Sequence, residues 1–190
     1  MKPIQMQRVL VVFALLVSPT ALAGMADLWI QLGTEVTLPQ NEYMFDQISV
    51  TTRVYELNNT YLYTYDLTNP LESGLNASWF SVALSSGVDI ISIGYDTSAT
   101  EVVPTLWHEV GDPMSNLDAQ FLDPINPGES STTLFYLSSR GPAMTTASMG
   151  GVGSNGSFLV TNTMISPVPE PATLMLLAAG TLFSLRRKKV

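Results

Sequence analysis

The 190-residue chain contains no cysteine. This absence excludes disulfide bonds, thiolate catalysis and cysteine-based zinc or iron sites. There is one histidine, His108, and neither an H-E-x-x-H nor a G-x-S-x-G motif accompanies it, so a two-histidine zinc site and a serine triad lack sequence support. We therefore predict no catalytic and no cofactor-binding residue, and we expect a protein that is not an enzyme.

Basic residues are scarce in the middle of the chain. Between Gly24 and Pro167 there are fifteen Asp and Glu residues but only two cations, Arg53 and Arg140, which gives a net charge of −13. Such a surface repels phosphate and lacks the basic stripe that nucleic-acid binding requires. Nucleic acids are excluded as partners, whereas cations and neutral or cationic surfaces are compatible with this charge.

The N-terminus has the three-part pattern of a secretory signal peptide. A basic start precedes the apolar run 9–17, and the small side chains of Ala21 and Ala23 then fit the pockets of a signal peptidase. Cleavage after Ala23 would leave Gly24 as the first mature residue. The predicted domains are a signal peptide at 1–23, an exported domain at 24–167 and a C-terminal tail at 168–190.

The middle of the chain alternates with the period of a β-strand and has no apolar stripe at helical spacing. Asn58 and Asn59 tolerate positive φ and predict a tight hairpin between two alternating runs. Turn signals recur at the spacing of a sandwich. We predict an all-β fold, a single antiparallel β-sandwich of jelly-roll or Greek-key type. Its strands are expected at Leu28–Leu38, Gln47–Leu57, Thr60–Leu67, Trp79–Leu84, Val88–Tyr95, Glu101–Val110, Thr132–Ser138 and Ser157–Ile165, with Pro104 marking an edge or a break.

Aromatic side chains allow two interpretations. Tyr61, Tyr63 and Tyr65 recur at spacing two, a pattern that favours the buried face of a strand over a platform for sugars. A carbohydrate-binding module would instead present these rings, or Trp79 and Trp107, on an exposed face. A secreted carbohydrate-active hydrolase would need two facing carboxylates, and the abundant Asp and Glu residues do not single out such a pair.

The segment Gly111–Glu129 is rich in Asp, Pro and Asn and predicts a long loop between strands. Asp112, Asp118 and Asp123, with Asn126 and Glu129 beyond them, are hard oxygen ligands that suit calcium. EF-hand spacing is absent. The sequence therefore offers calcium as the one candidate metal, against an ordinary solvated acidic loop.

Residues 151–156 spell G-x-G-x-x-G. That motif binds dinucleotides where a strand turns into a helix, because the helix amides then meet the phosphates. Here the following residues alternate as a strand, so we predict a β-turn loop without a nucleotide.

The tail has three features in order. Val168 to Pro171 precede the apolar stretch 172–185, and a basic cluster follows at once. The prolines keep the first segment extended, the apolar stretch enters the bilayer as a helix, and the cluster stays cytoplasmic. Fourteen residues make only about 21 Å of helix, short of the roughly 30 Å hydrocarbon core, which favours a transient anchor. The cluster is formed by Arg186, Arg187, Lys188 and Lys189.

This arrangement resembles the PEP-CTERM sorting signal of Gram-negative bacteria over about residues 168–189, a tail also described as the ice-binding protein C-terminal domain. No regular Thr-x-Thr ladder in the middle region supports ice binding. The resemblance implies that Pro169, Glu170 and Pro171 are recognised by an exosortase, a transpeptidase-like membrane enzyme that removes the anchor, in a host that makes exopolysaccharide.

The partners expected from this resemblance are signal peptidase, exosortase and, transiently, the inner membrane, with exopolysaccharide as a candidate contact at the cell surface or outside the cell. The leading hypothesis is a non-enzymatic, exosortase-sorted surface or extracellular-matrix protein. The alternatives are the hydrolase and the carbohydrate-binding module.

Overall fold

The computed structural model describes residues 27, 29–84, 88–96, 101–110 and 116–167. These residues form two antiparallel sheets, so the all-β prediction is confirmed. A helical turn at residues 29–32 precedes the first strand. The strands are β1 (Thr34–Glu35), β2 (Glu42–Phe45), β3 (Ile48–Leu57), β4 (Thr60–Thr68), β5 (Leu75–Ala83), β6 (Ile90–Tyr95), β7 (Leu106–Val110), β8 (Asn116–Ile125), β9 (Leu134–Ser138), β10 (Pro142–Gly153) and β11 (Gly156–Pro167).

The strand order shows a chain that crosses repeatedly between the two sheets. The first sheet has the order β1-β3-β4-β9-β6. β1 and β2 both pair with the same edge of β3, β2 near its beginning and β1 near its end. The second sheet has the order β11-β10-β5-β8-β7. Because β4, β6 and β9 lie in the first sheet and β5, β7, β8 and β10 in the second, the connections after β4, β5, β6, β8 and β9 change sheet.

The hairpin predicted at Asn58 and Asn59 is confirmed. Both residues have positive φ, 54° and 60°, as a tight turn between antiparallel strands requires. The β3 and β4 strands on either side pair over nine residues, from Ser49↔Thr68 to Leu57↔Thr60. Local turn chemistry therefore sets the register of the longest pairing in the first sheet.

The two sheets share one hydrophobic core that contains several aromatic rings. Phe80 from the second sheet meets Phe45 edge-on, with ring centroids 6.0 Å apart, and meets Tyr65 at 5.7 Å. Both partners belong to the first sheet. Edge-on and tilted contacts of this kind add to the stability that area burial alone provides.

The tyrosine row of β4 lies in this core. Tyr63 and Tyr65 are fully buried, and Tyr63 stacks on Tyr136 with centroids 4.9 Å apart. The hydroxyl of Tyr65 is 2.8 Å from that of Tyr136 and donates to the Ile165 carbonyl at 3.0 Å, which links the sheets. Burial raises the pKa of the Tyr63, Tyr65 and Tyr136 hydroxyls. The prediction of a core row is confirmed for Tyr63 and Tyr65, and their rings cannot serve as a sugar platform.

The outer face of the first sheet is also covered. Trp29 from the helical turn is 6% exposed and packs with Tyr55 and Leu62 in a second, smaller cluster. Phe135 belongs to the same cluster, and its ring lies across Gly94, where a Cβ would come within 2.7 Å of Phe135 Cζ. This sheet therefore buries apolar side chains on both of its faces.

Two expectations from the sequence were wrong. In place of the early strand Leu28–Leu38, the described residues form a helical turn and the two-residue β1. The segment Gly111–Glu129 is not one long loop, because β8 runs through it from Asn116 to Ile125. Leu117 and Ala119 face the core from β8, while the polar residues that alternate with them, Asn116, Asp118 and Gln120, gave the segment its loop-like composition.

The predicted signal peptide at 1–23 and the predicted anchor helix at 172–185 lie outside the described residues. Within the part of the chain that the structure describes, no helix has the length and apolar character needed to span a membrane. β11 pairs with β10 along its whole length, up to Pro167↔Pro142. The predicted sorting segment therefore begins directly after an ordered strand.

Candidate functional site

A β-bulge at Ser78 turns Trp79 onto the outer face of the second sheet. On β10, Gly150 pairs with Trp79 while the next residue, Gly151, pairs with Ala77, so Ser78 is one extra residue on β5. Such a bulge reverses which residues face the core beyond it. The core-facing residues are Leu75 and Ala77 before the bulge and Phe80 and Val82 after it.

The indole ring of Trp79 packs against the backbone of Gly150. A Cβ at this position would come within 2.6 Å of Trp79 Cε2 and 3.0 Å of Cζ2, so the indole lies across the backbone of β10. Trp79 is only half-buried. Glycine is required here because a side chain would displace the ring that rests on it.

The neighbouring glycines explain the G-x-G-x-x-G pattern. A Cβ on Gly151 would overlap the Asn76 carbonyl oxygen, and a Cβ on Gly153 would come within 2.8 Å of the Leu75 side chain. Gly156 has a φ of 112°, which favours glycine at the end of the turn between β10 and β11. The predicted β-turn is confirmed at residues 154–155, although the pattern also covers the ends of two paired strands.

A row of polar side chains crosses the outer face beside Trp79. Thr161, Ser148, Ser81 and Asp118 are successive partners across β11, β10, β5 and β8. The hydroxyls of Ser148 and Thr161 are 3.1 Å apart, and the Ser81 hydroxyl donates to Asp118 Oδ1 at 2.5 Å. A hydrogen bond to a carboxylate is shorter and stronger than one between neutral groups. The row therefore holds Asp118 in place near the indole.

His108 on β7 is the strand partner of Asp118. The order across the sheet is thus Ser81, Asp118, His108. In a serine triad the histidine stands between the serine and the carboxylate, because it must accept the hydroxyl proton. This strand order does not correspond to a triad. The side chains of Trp107 and His108 lie outside the described part of the structure.

Two shallow depressions meet at Trp79 and Asp118, which line both of them. One, of about 320 Å³, extends toward Gln120 and the highly exposed Leu122. The other, of about 300 Å³, extends toward Ser148 on β10. A ligand that covered Trp79 and Asp118 would reach into both depressions.

The calcium candidates are spread along β8 and the turn that follows it. Asp118 and Asp123 both belong to β8, five residues apart along an extended strand. Glu129 accepts hydrogen bonds from the Asn126 backbone and side chain at 2.8 and 3.0 Å. Asp112 lies outside the described residues, among which no three His, Asp or Glu groups are placed to hold a metal ion. Calcium binding stays a prediction without a described cluster to support it.

Residues 167–189 match the PEP-CTERM protein-sorting motif. No curated protein matches the chain. The motif match confirms the resemblance noted from Pro169, Glu170, Pro171 and the C-terminal cluster 186–189, which themselves lie outside the described residues. It begins at Pro167, the last residue of β11. The chain is an exosortase-sorted protein that is exported to the envelope or surface of a Gram-negative bacterium.

Proposed function

We propose that this chain is a non-enzymatic surface or extracellular-matrix protein whose folded domain is delivered by exosortase and contacts exopolysaccharide. The observation that carries this proposal is the PEP-CTERM match at 167–189, which starts on the last residue of the fold. The sorting motif and the folded domain are thus adjacent in sequence, and the segment from Gly24 to Pro167 is the exported cargo.

The cargo is a β-sandwich of jelly-roll type. The strand orders β4-β9-β6 and β5-β8-β7, with connections that pass from one sheet to the other, support this description. β3 extends the first sheet, and the hairpin of β10 and β11 extends the second. A sandwich of this size can present one outer face to a ligand while its core supplies the stability.

Processing occurs at both ends of the chain. Signal peptidase cleaves after Ala23, the apolar stretch 172–185 anchors the protein in the inner membrane for a short time, and exosortase then acts at Pro169, Glu170 and Pro171. Removal of 186–189 with the tail takes away four of the six cations that lie outside the middle domain. The released domain would keep its charge of −13, which favours solubility.

The non-enzymatic role is supported by the polar row. Its strand order places Asp118 between Ser81 and His108, and the depressions beside it are shallow rather than enclosed. Catalysis would require a water-excluding site with converging reactive groups. A shallow polar face with one large aromatic ring is better suited to contact with an extended polymer.

Isolation of the native protein from its producing cells tests this proposal. Intact mass and terminal sequencing should give an N-terminus at Gly24 and a C-terminus that lacks residues 186–189, and glycan analysis should identify copurifying polysaccharide. A variant with alanine at Pro169, Glu170 and Pro171 should keep the tail and stay in the membrane fraction. Retention of 186–189 in every wild-type molecule would contradict exosortase processing.

A further inference from the structure

We infer that the outer face of the second sheet, around Trp79 and Asp118, is a binding site for a neutral polysaccharide chain. The inference rests on the proposed function because it takes the domain to act outside the cytoplasm among exopolysaccharides. It adds the site, the residues that form it and the charge class of the ligand.

The position of Trp79 is the first reason. The bulge at Ser78 places a large aromatic side chain on the face away from the core, and Gly150 lets the indole lie across β10. The face of an aromatic ring is electron-rich, and the C–H groups on one side of a pyranose ring are weakly positive. An indole that rests on a strand and is half-buried offers such a surface to a sugar.

Polar side chains beside the ring are the second reason. Asp118 accepts a hydrogen bond from Ser81, and a carboxylate has further acceptor positions that a sugar hydroxyl can use. Gln120 is exposed on the same strand, two residues further along, and its amide can both donate and accept. Sugars are recognised by this combination, since each ring has an apolar side and a rim of hydroxyl groups.

The shape of the face is the third reason. The two depressions, of about 320 and 300 Å³, lie at the lower end of the roughly 300–1,000 Å³ range of small-ligand sites. Both are open and both include Trp79 and Asp118. A site of this form can hold an internal stretch of a polymer whose two ends continue into solvent, and it does not need a chain end.

Charge selects among polysaccharides. With fifteen acidic residues and two arginines between Gly24 and Pro167, the domain repels uronic acid or phosphate polymers. Asp118 adds a negative charge at the site itself. The charge therefore argues against an acidic polymer, and the aromatic and polar groups of the site fit a neutral chain of hexopyranose rings.

Affinity electrophoresis tests the inference. The full-length chain, purified in mild detergent, is run through native gels that contain laminarin, hydroxyethylcellulose, dextran or galactomannan as neutral probes, or alginate as an acidic probe. At least one neutral polymer should retard the protein, and alginate should not. Trp79→Ala should weaken that retardation at least about tenfold, which corresponds to about 1.4 kcal/mol, whereas Trp79→Phe should stay within about threefold of wild type.

Three further variants test the position of the ring and the role of the carboxylate. Gly150→Ala keeps the indole but places a methyl group where it rests, so binding should fall by about tenfold while the circular dichroism spectrum stays that of the folded protein. Asp118→Asn should weaken binding, and Asp123→Asn, the same change at an exposed position of the same strand, should not.

Absence of retardation by all four neutral polymers, or equal retardation of wild type and Trp79→Ala, would overturn the inference. Stronger binding to alginate would overturn the charge argument. None of these results depends on exosortase. The binding-site inference can therefore be wrong while the mass of the native protein still supports exosortase processing, and processing can be absent while the domain still binds polysaccharide.

Discussion

Among the side chains that the structure describes, each outer face of the sandwich has a tryptophan, and the two tryptophans differ in their surroundings. On the first sheet, Trp29 is 6% exposed and sits in an apolar cluster with Tyr55 and Leu62. On the second sheet, Trp79 is half-buried and has Asp118 and Ser81 as neighbours. Trp29 is buried, as expected of a residue that stabilises the fold, whereas Trp79, in the proposed binding site, has an accessible ring beside polar side chains.

The mechanisms that create the two environments also differ. Trp29 comes from a helical turn that folds back over its sheet, so an added segment covers the face. Trp79 comes from within the sheet, where the extra residue Ser78 reverses the alternation. A bulge that moves a large apolar side chain away from the core gives up hydrophobic burial, and a surface role accounts for that loss.

The largest expected effect on stability concerns this pair of tryptophans. Trp29→Ala should lower the free energy of unfolding by about 3–5 kcal/mol, because it removes a large side chain from a buried apolar cluster. Trp79→Ala should cost only about 1 kcal/mol, since its ring loses less contact. Urea unfolding curves of the two variants provide the measurement. Equal losses of unfolding free energy would contradict the claim that Trp29 stabilises the fold more than Trp79 does.

An alkaline titration sharpens the comparison, because it acts on the core that both faces share. Burial raises the pKa of Tyr63, Tyr65 and Tyr136, so above a pH of about 10 the unfolded chain releases protons that the folded chain keeps. Their contribution to stability is complete below that pH and falls as the pH rises through it. Each tyrosine should lower the unfolding free energy by up to about 1.4 kcal/mol per pH unit.

Thermal melts between pH 7 and pH 11.5, with the wild type beside Tyr136→Phe, measure this dependence. The variant should show a shallower decline, because one buried hydroxyl is gone. The loss should appear as a single transition in which the environments of Trp29 and Trp79 change together. A decline that begins well below pH 9, or the same slope in both proteins, would contradict the assignment to buried tyrosines.

The smallest expected effect concerns the two acidic residues of β8. Asp118→Asn replaces the charge-assisted bond from Ser81 by a neutral one and should cost about 1 kcal/mol. Asp123→Asn, at an exposed position of the same strand, should change stability by less than about 0.5 kcal/mol. Because both substitutions remove the same charge, a difference in melting temperature reports the local contacts of Asp118, of which the bond from Ser81 is the one that the structure describes.

Local signals made part of the fold predictable. The β3 and β4 strands lie within one residue of the runs Gln47–Leu57 and Thr60–Leu67, because clean alternation and two asparagines act over short distances. Pro104 was predicted as an edge or a break, and it precedes β7, the edge strand of its sheet. β8 was not predicted, because Asp118 and Gln120 on its outer face are residue types common in loops, although Leu117 and Ala119 alternate with them.

Less of the candidate site could be predicted from the sequence. Trp79 was considered as an exposed aromatic residue, but its orientation depends on an irregularity at Ser78 that shows only when β5 is paired with β10. β10 itself had no counterpart among the predicted strands, since its glycines and threonines gave no apolar alternation. The role of Gly150 follows from contact with a residue far away in sequence, which composition cannot report.

The most direct test of the different roles of the two faces is hydroxyl-radical footprinting of the full-length chain with and without the neutral polysaccharide that retards it. Mass spectrometry then compares oxidation at Trp79 and at Trp29 in the same sample. We predict that the polysaccharide protects Trp79 and leaves the low oxidation of Trp29 unchanged. Oxidation of Trp79 that stays the same when the polysaccharide is bound would contradict the account.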